Sequence, residues 1–375
     1  MKSIKQITAI SAALLGIAAA APASALDLTY IEGTAIPLPY VTYGDGNSYS
    51  LAFSAIAYDL ISGGGTKSGN PYYVNSSPGA IKDLTVIGTG SSGQPVTTNF
   101  VGMDNAYPTP NSDGIEFFST GTTADPGGIN EFAGDAANTW DIRLTALDGF
   151  VGDESPVFFF NNNQTNSGSA EDQNLAIWAA LTLYDDAGVL SPLTLYFSNL
   201  GGAYALISEG GGGDPFGTAG TGTLGTPTGP DAGDNDATDY VLAGGQLCYD
   251  TTSPFSGAVP CDSANASAPV NHNLGANQAV YAVVFPALND ILALADFDGY
   301  DVLSIDWRMG CDPNTDQSEF SCDGSEGNHG RSLNDGYEQL FIGTVTSVVN
   351  VPEPATLALL GSALLGFAAM RRRKA

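Results

Sequence analysis

Hard oxygen donors crowd three stretches of this 375-residue chain. The first holds Asp231, Asp234, Asn235, Asp236 and Asp239, and the second gathers Asp296, Asp298 and Asp301 around Gly299. The third holds Asp312, Asn314, Asp316, Glu319 and Asp323. Carboxylates this close repel one another unless solvent or a cation stands between them, and calcium is the cation that accepts oxygens at irregular angles. The third stretch fills positions 1, 3, 5 and 12 of a calcium loop but has Gln317 where the sharp turn needs glycine. Asp296, Asp298 and Asp301 are the best compact set, and calcium is the one cofactor the sequence suggests. The competing reading is a solvated turn, because Asp, Asn and Gly favour turns by bonding their own backbone.

Catalysis finds little support. His272 and His329 are the only histidines and both fall in polar loops, so a nucleophile has few candidate bases. No Gly-x-Ser-x-Gly elbow, His-Glu-x-x-His helix or phosphate loop occurs. The carboxylates are so numerous that some pair would always suit a glycosidase, which empties that signal of meaning. The chain reads as a non-enzyme. Tyr72, Tyr73, Tyr240 and Tyr249 sit in or beside loops, where they either stack on sugar rings or cap a core edge with the hydroxyl in water.

Charge narrows the partners. Between residues 26 and 350 lie five of the 11 cations and every one of the 40 acids except Glu353. Such a surface repels nucleic acid and anionic lipid and attracts divalent cations. Four cysteines form two local pairs, Cys248 with Cys261 and Cys311 with Cys322, which is the simplest of three connectivities in an oxidising compartment. No Cys-x-x-Cys spacing supports zinc.

The elements that must position these groups read as strands. Tyr49, Leu51, Phe53, Ala55 and Ala57 alternate with smaller or polar residues, as do Trp140, Ile142 and Leu144 with Asp141, Arg143 and Thr145. That period places one face in a core and the other in water. Leu175–Tyr184 is apolar on both faces and predicts a central strand, with Leu193–Phe197 as its hairpin partner across Asp185-Asp186-Ala187-Gly188. Val157–Phe160, Ala279–Phe285, Val302–Met309 and Gln339–Val349 add further strands. Trp140, Trp178 and Trp307 all fall inside strands and are expected in the core. No segment of the body combines helical period with caps. The expected fold is all-β: a large antiparallel, jelly-roll-like β-sandwich over residues 26–350 with long Gly/Asp-rich loops and an insertion at about 209–275.

Both ends carry addresses. Lys2 and Lys5 precede an apolar stretch that ends in Ala23-Ser24-Ala25, the pattern of a signal helix over residues 1–25 that signal peptidase removes before Leu26. At the other end, Val351-Pro352-Glu353-Pro354 is followed by an uncharged apolar run, 355–370, and then by Arg371, Arg372, Arg373 and Lys374. The two prolines hold the backbone extended, the run makes a short transmembrane helix, and the cations stay on the cytoplasmic side. Residues 351–375 resemble the PEP-CTERM sorting signal that exosortases of Gram-negative, exopolysaccharide-producing bacteria recognise. The resemblance implies export, transient residence in the inner membrane, exosortase processing, and delivery to the cell surface or extracellular matrix. The expected role is a structural or adhesive component associated with exopolysaccharide in a biofilm. A calcium-dependent, lectin-like carbohydrate-binding module is the alternative, and a polysaccharide-active hydrolase a third.

Overall fold

The computed structural model describes residues 26–35, 38, 41–43, 45–90, 99–110, 117–128, 132–161, 175, 177–198, 246–249, 258–259, 270–271, 277–310, 333 and 338–348. In chain order the strands are β1 (Leu26–Asp27), β2 (Val41–Tyr43), β3 (Gly46–Ser50), β4 (Thr85–Gly90), β5 (Tyr107–Thr109), β6 (Phe117–Ser119), β7 (Trp140–Arg143) and β8 (Ser155–Asn161). Then come β9 (Ile177–Tyr184), β10 (Leu193–Ser198), β11 (Gln246–Tyr249), β12 (Ala258–Val259), β13 (Val270–Asn271), β14 (Tyr281–Val284), β15 (Val302–Gly310) and β16 (Gln339–Ser347). Among the described residues, the α-helices that interrupt them are α1 (Leu51–Ser62), α2 (Pro78–Ile81), α3 (Leu144–Val151) and α4 (Pro286–Leu292).

Two large sheets share a core. The first runs β2-β3-β14-β8-β16-β4-β5 with β1 beside β16, and the second runs β10-β9-β15-β6 with β7 also on β15. Alternation along β8 explains the layering. Phe158 and Phe160 point into the core between the sheets, while Val157 and Phe159 point into a second core on the outer face, under α1 and Tyr72. Strands β14 and β16 split the same way, with Val283 and Ile342 inward and Val284 and Phe341 outward. A strand covered on both faces has no wet side, hence the unbroken apolar runs. Burying each such phenylalanine contributes roughly 1.5–3 kcal/mol.

The predicted β9–β10 hairpin is present, with Leu193 opposite Leu183, and Leu303, Ile305, Trp307 and Met309 of β15 enter the shared core together. Trp140, Trp178 and Trp307 are all buried. Other expectations fail. The first sheet is mixed, because β1 pairs parallel with β16 and β4 with β5. Helices also replace two predicted strands. The alternating Tyr49–Ala57 run is strand only to Ser50; there the Ser50 hydroxyl accepts the Phe53 N–H at 3.2 Å and α1 starts. The run from Trp140 likewise turns into α3 at Leu144.

The signal segment, the sorting tail with its 355–370 run, and Cys261, Cys311 and Cys322 lie outside the described residues, as does most of 209–275. Among the described residues no helix is long and apolar enough to cross a membrane, which leaves β-barrels unaddressed.

Candidate functional site: a buried carboxylate cluster and an aromatic cleft

Three carboxylates meet at the edge of the second sheet. Oxygens of Asp104, Asp135 and Asp141 lie within 4.8 Å of one another, the one such group among the described residues. Asp141 sits on β7, where sequence alternation assigns it to the wet face, yet it is fully buried. The reason is the 132–139 loop, which folds over it. The Asp141 carboxylate accepts the Ala136 N–H at 2.7 Å and the Thr139 hydroxyl at 3.2 Å, and it also bonds Ser304 of β15.

That loop is pinned from several sides. Tyr107 of β5 donates its hydroxyl to the Thr139 carbonyl at 3.0 Å, and Tyr184 of β9 donates to the Gly134 carbonyl. Arg143 bonds the Ala133 carbonyl and Asp186, the latter at 2.7 Å. Gly134 adopts φ +89°, and a Cβ there would stand 2.2 Å from Asp186 Oδ1, so any side chain would strain the backbone and displace Asp186.

Asp104 approaches from a separate segment. Its Oδ2 accepts the Asp141 N–H at 2.7 Å and its own N–H donates to the Asp141 carbonyl at 3.0 Å. Behind it, the buried Asn99 side chain ties the segment to β4, donating to the Val86 and Asp104 carbonyls and accepting the Val86 N–H at 3.0 Å. Burial pushes the Asp104 carboxyl up to about 8, the Asp141 N–H pulls the other way, and the negative charges of Asp135, Asp141 and Asp125 push it further. Burial likewise raises Asp141, against the pull of its hydrogen bonds, and raises the Tyr107 and Tyr184 hydroxyls. Such a group can share protons or hold a hard cation.

The sequence-predicted set behaves otherwise. Asp296 and Asp298 are exposed in a tight turn with positive φ at both, and Asp301 accepts the Asp186 N–H at 3.0 Å. They are not the group that comes together. The stretches 231–239 and 312–323 lie outside the described residues.

A second feature lies on the opposite face of the first sheet: a cleft of about 570 Å³ lined in part by Tyr58, Tyr73, Pro71, Asn70, Asn75 and Glu32. Tyr73 is half-buried there. Its neighbour Tyr72 is core, with a hydroxyl that donates to the Tyr30 carbonyl and accepts the Glu32 N–H, both at 3.0 Å. Leu26, at the predicted cleavage point, lines the same cleft and pairs with Val345 of β16. Tyr240 is outside the described residues, and Tyr249 and Cys248 are placed only as backbone of β11.

A β-rich body built on two large sheets thus precedes the tail among the described residues, and residues 350–374 match the PEP-CTERM protein-sorting motif. That match makes this an exosortase-processed protein sorted to the cell surface or extracellular space. The chain belongs to the family described as a domain of unknown function (DUF8239), matched over residues 35–308. No curated protein and no solved structure matches it.

Proposed function

We propose that, once signal peptidase has removed residues 1–25 and exosortase has processed the tail, the protein serves as a non-catalytic structural or adhesive component bound to exopolysaccharide. The sorting motif at 350–374 carries this reading, since it addresses the chain to the compartment where that polymer lies. The cleft supports it with sugar-binding chemistry: the aromatic rings of Tyr58 and Tyr73 suit C–H-rich ring faces, while Asn75 and Glu32 suit hydroxyls. The test is fractionation of host cells. The protein is expected in the exopolysaccharide fraction, released by digesting the glycan, with Tyr73→Ala shifting it into the free medium. Recovery of the wild type in the membrane pellet, or free in the medium, would refute the assignment.

A further inference from the structure

The carboxylate cluster presents a charge problem with two solutions: the raised Asp104 and Asp141 carboxyls, the latter hydrogen-bonded to Asp135, either keep protons or give them up to a cation. Asp104 and Asp141 are fully buried, and Asp135 half-buried. Among the described residues neither Asp104 nor Asp141 meets a lysine or arginine within 4.0 Å, and Arg143, two residues along, is engaged by Asp186. One atom singles out the need. Asp104 Oδ1 is buried and accepts no hydrogen bond. A buried carboxylate oxygen without a donor carries its full desolvation cost.

The surroundings keep that oxygen open. Gly128 bridges to Asp104, and a Cβ at Gly128 would stand 3.2 Å from Oδ1 and 3.1 Å from the Met103 carbonyl oxygen. With glycine there, the bare oxygen has no side chain against it from that segment. Asp135 is only half-buried, so the cluster is not enclosed on every side.

We infer that Asp104, Asp135 and Asp141 hold a calcium ion. The donors are all hard oxygens, and separations up to 4.8 Å suit an ion placed about 2.3–2.6 Å from each of them. Magnesium usually keeps several waters and takes only one or two carboxylates, so three disfavour it, and without nitrogen or sulfur donors zinc and copper are poorly served.

Calcium chloride alone is the probe. The processed protein, purified from its host and stripped with chelator, is titrated by calorimetry and melted with and without calcium. The expected result is one saturable equivalent per chain and a higher Tm. Asp104→Asn keeps the shape and the acceptor for the Asp141 N–H while removing the charge, so it should fold. It should weaken binding by at least the ten- to hundredfold that loss of an outer-shell partner costs. Asp135→Asn, at a half-buried position, should do the same and stands in if the first variant is unstable. Asp296→Asn controls for diffuse attraction to the acidic surface and should bind as wild type does. No saturable binding by the wild type, equal binding by both cluster variants, or saturation by magnesium in preference to calcium would overturn the assignment.

Discussion

Gly88 of the first sheet lies against Trp307 of the second, and filling it tests how the sandwich is held. A Cβ on this β4 residue would lie 2.2 Å from Cζ3 of Trp307 and 3.0 Å from its Cη2, more than an ångström inside ordinary contact at the nearer atom. The indole cannot retreat, being fully buried with Phe118 edge-on at a centroid distance of 5.1 Å. Gly88→Ala therefore sits at the upper end of overpacking costs, about 3 kcal/mol. Trp307→Phe alone removes ring atoms from the core for about 2 kcal/mol, partly offset because the lost Nε1–H has no hydrogen-bond partner. The atoms it deletes lie where the new methyl would go, so the double variant should be no worse than Trp307→Phe. The coupling then approaches the whole cost of the alanine, roughly 2–3 kcal/mol. Urea unfolding of the four proteins, followed by far-ultraviolet circular dichroism, measures it. Additive losses, or a neutral Gly88→Ala, would refute the close approach of β4 to β15.

Two further substitutions probe the supports of the site and the hairpin. Asn99→Ala strips three buried backbone groups of their partners and should cost about 3 kcal/mol by urea unfolding, since each is left unsatisfied; it should also weaken calcium binding by releasing Asp104. Asp45 accepts the Tyr196 N–H at 2.7 Å, but burial raises its carboxyl above the usual 3.8. The unfolded carboxyl loses its proton first, so wild-type stability should fall as pH rises from 3.8 through the folded value. Asp45→Asn keeps the acceptor and cannot ionise, so the wild-type-minus-variant stability should decline across that interval; a flat or rising difference contradicts the burial.

The sequence announced the central strands because both their faces are apolar, and a run such as Val157–Phe160 permits little else at that length. It concealed α1 for a related reason. Leu51, Ala52, Phe53, Ser54, Ala55 and Ala57 are all buried, so the helix has no wide polar stripe, and its alternate residues imitate a strand. Helix α3 was more legible than the strand reading allowed: Leu144, Leu147 and Val151 follow the helical i, i+3, i+7 spacing. Pro286 at the first turn of α4 was also an available start signal.

The carboxylate cluster had no such signal. Asp104, Asp135 and Asp141 come from separate positions in the chain, and each alone resembles a turn residue or a wet-face strand residue. What joins them is the covering of β7 by the 132–139 loop. That covering depends on contacts between distant residues: Tyr107 with Thr139, Tyr184 with Gly134, and Arg143 with Asp186. Dense acidic stretches, which sequence reading favours, are places where carboxylates stay apart in water, as Asp296 and Asp298 do. Tertiary burial instead forces sparse ones together. An acidic exported chain can place carboxylates on its surface at little cost, so two fully buried ones beside a third are the arrangement that must either keep protons or hold a cation.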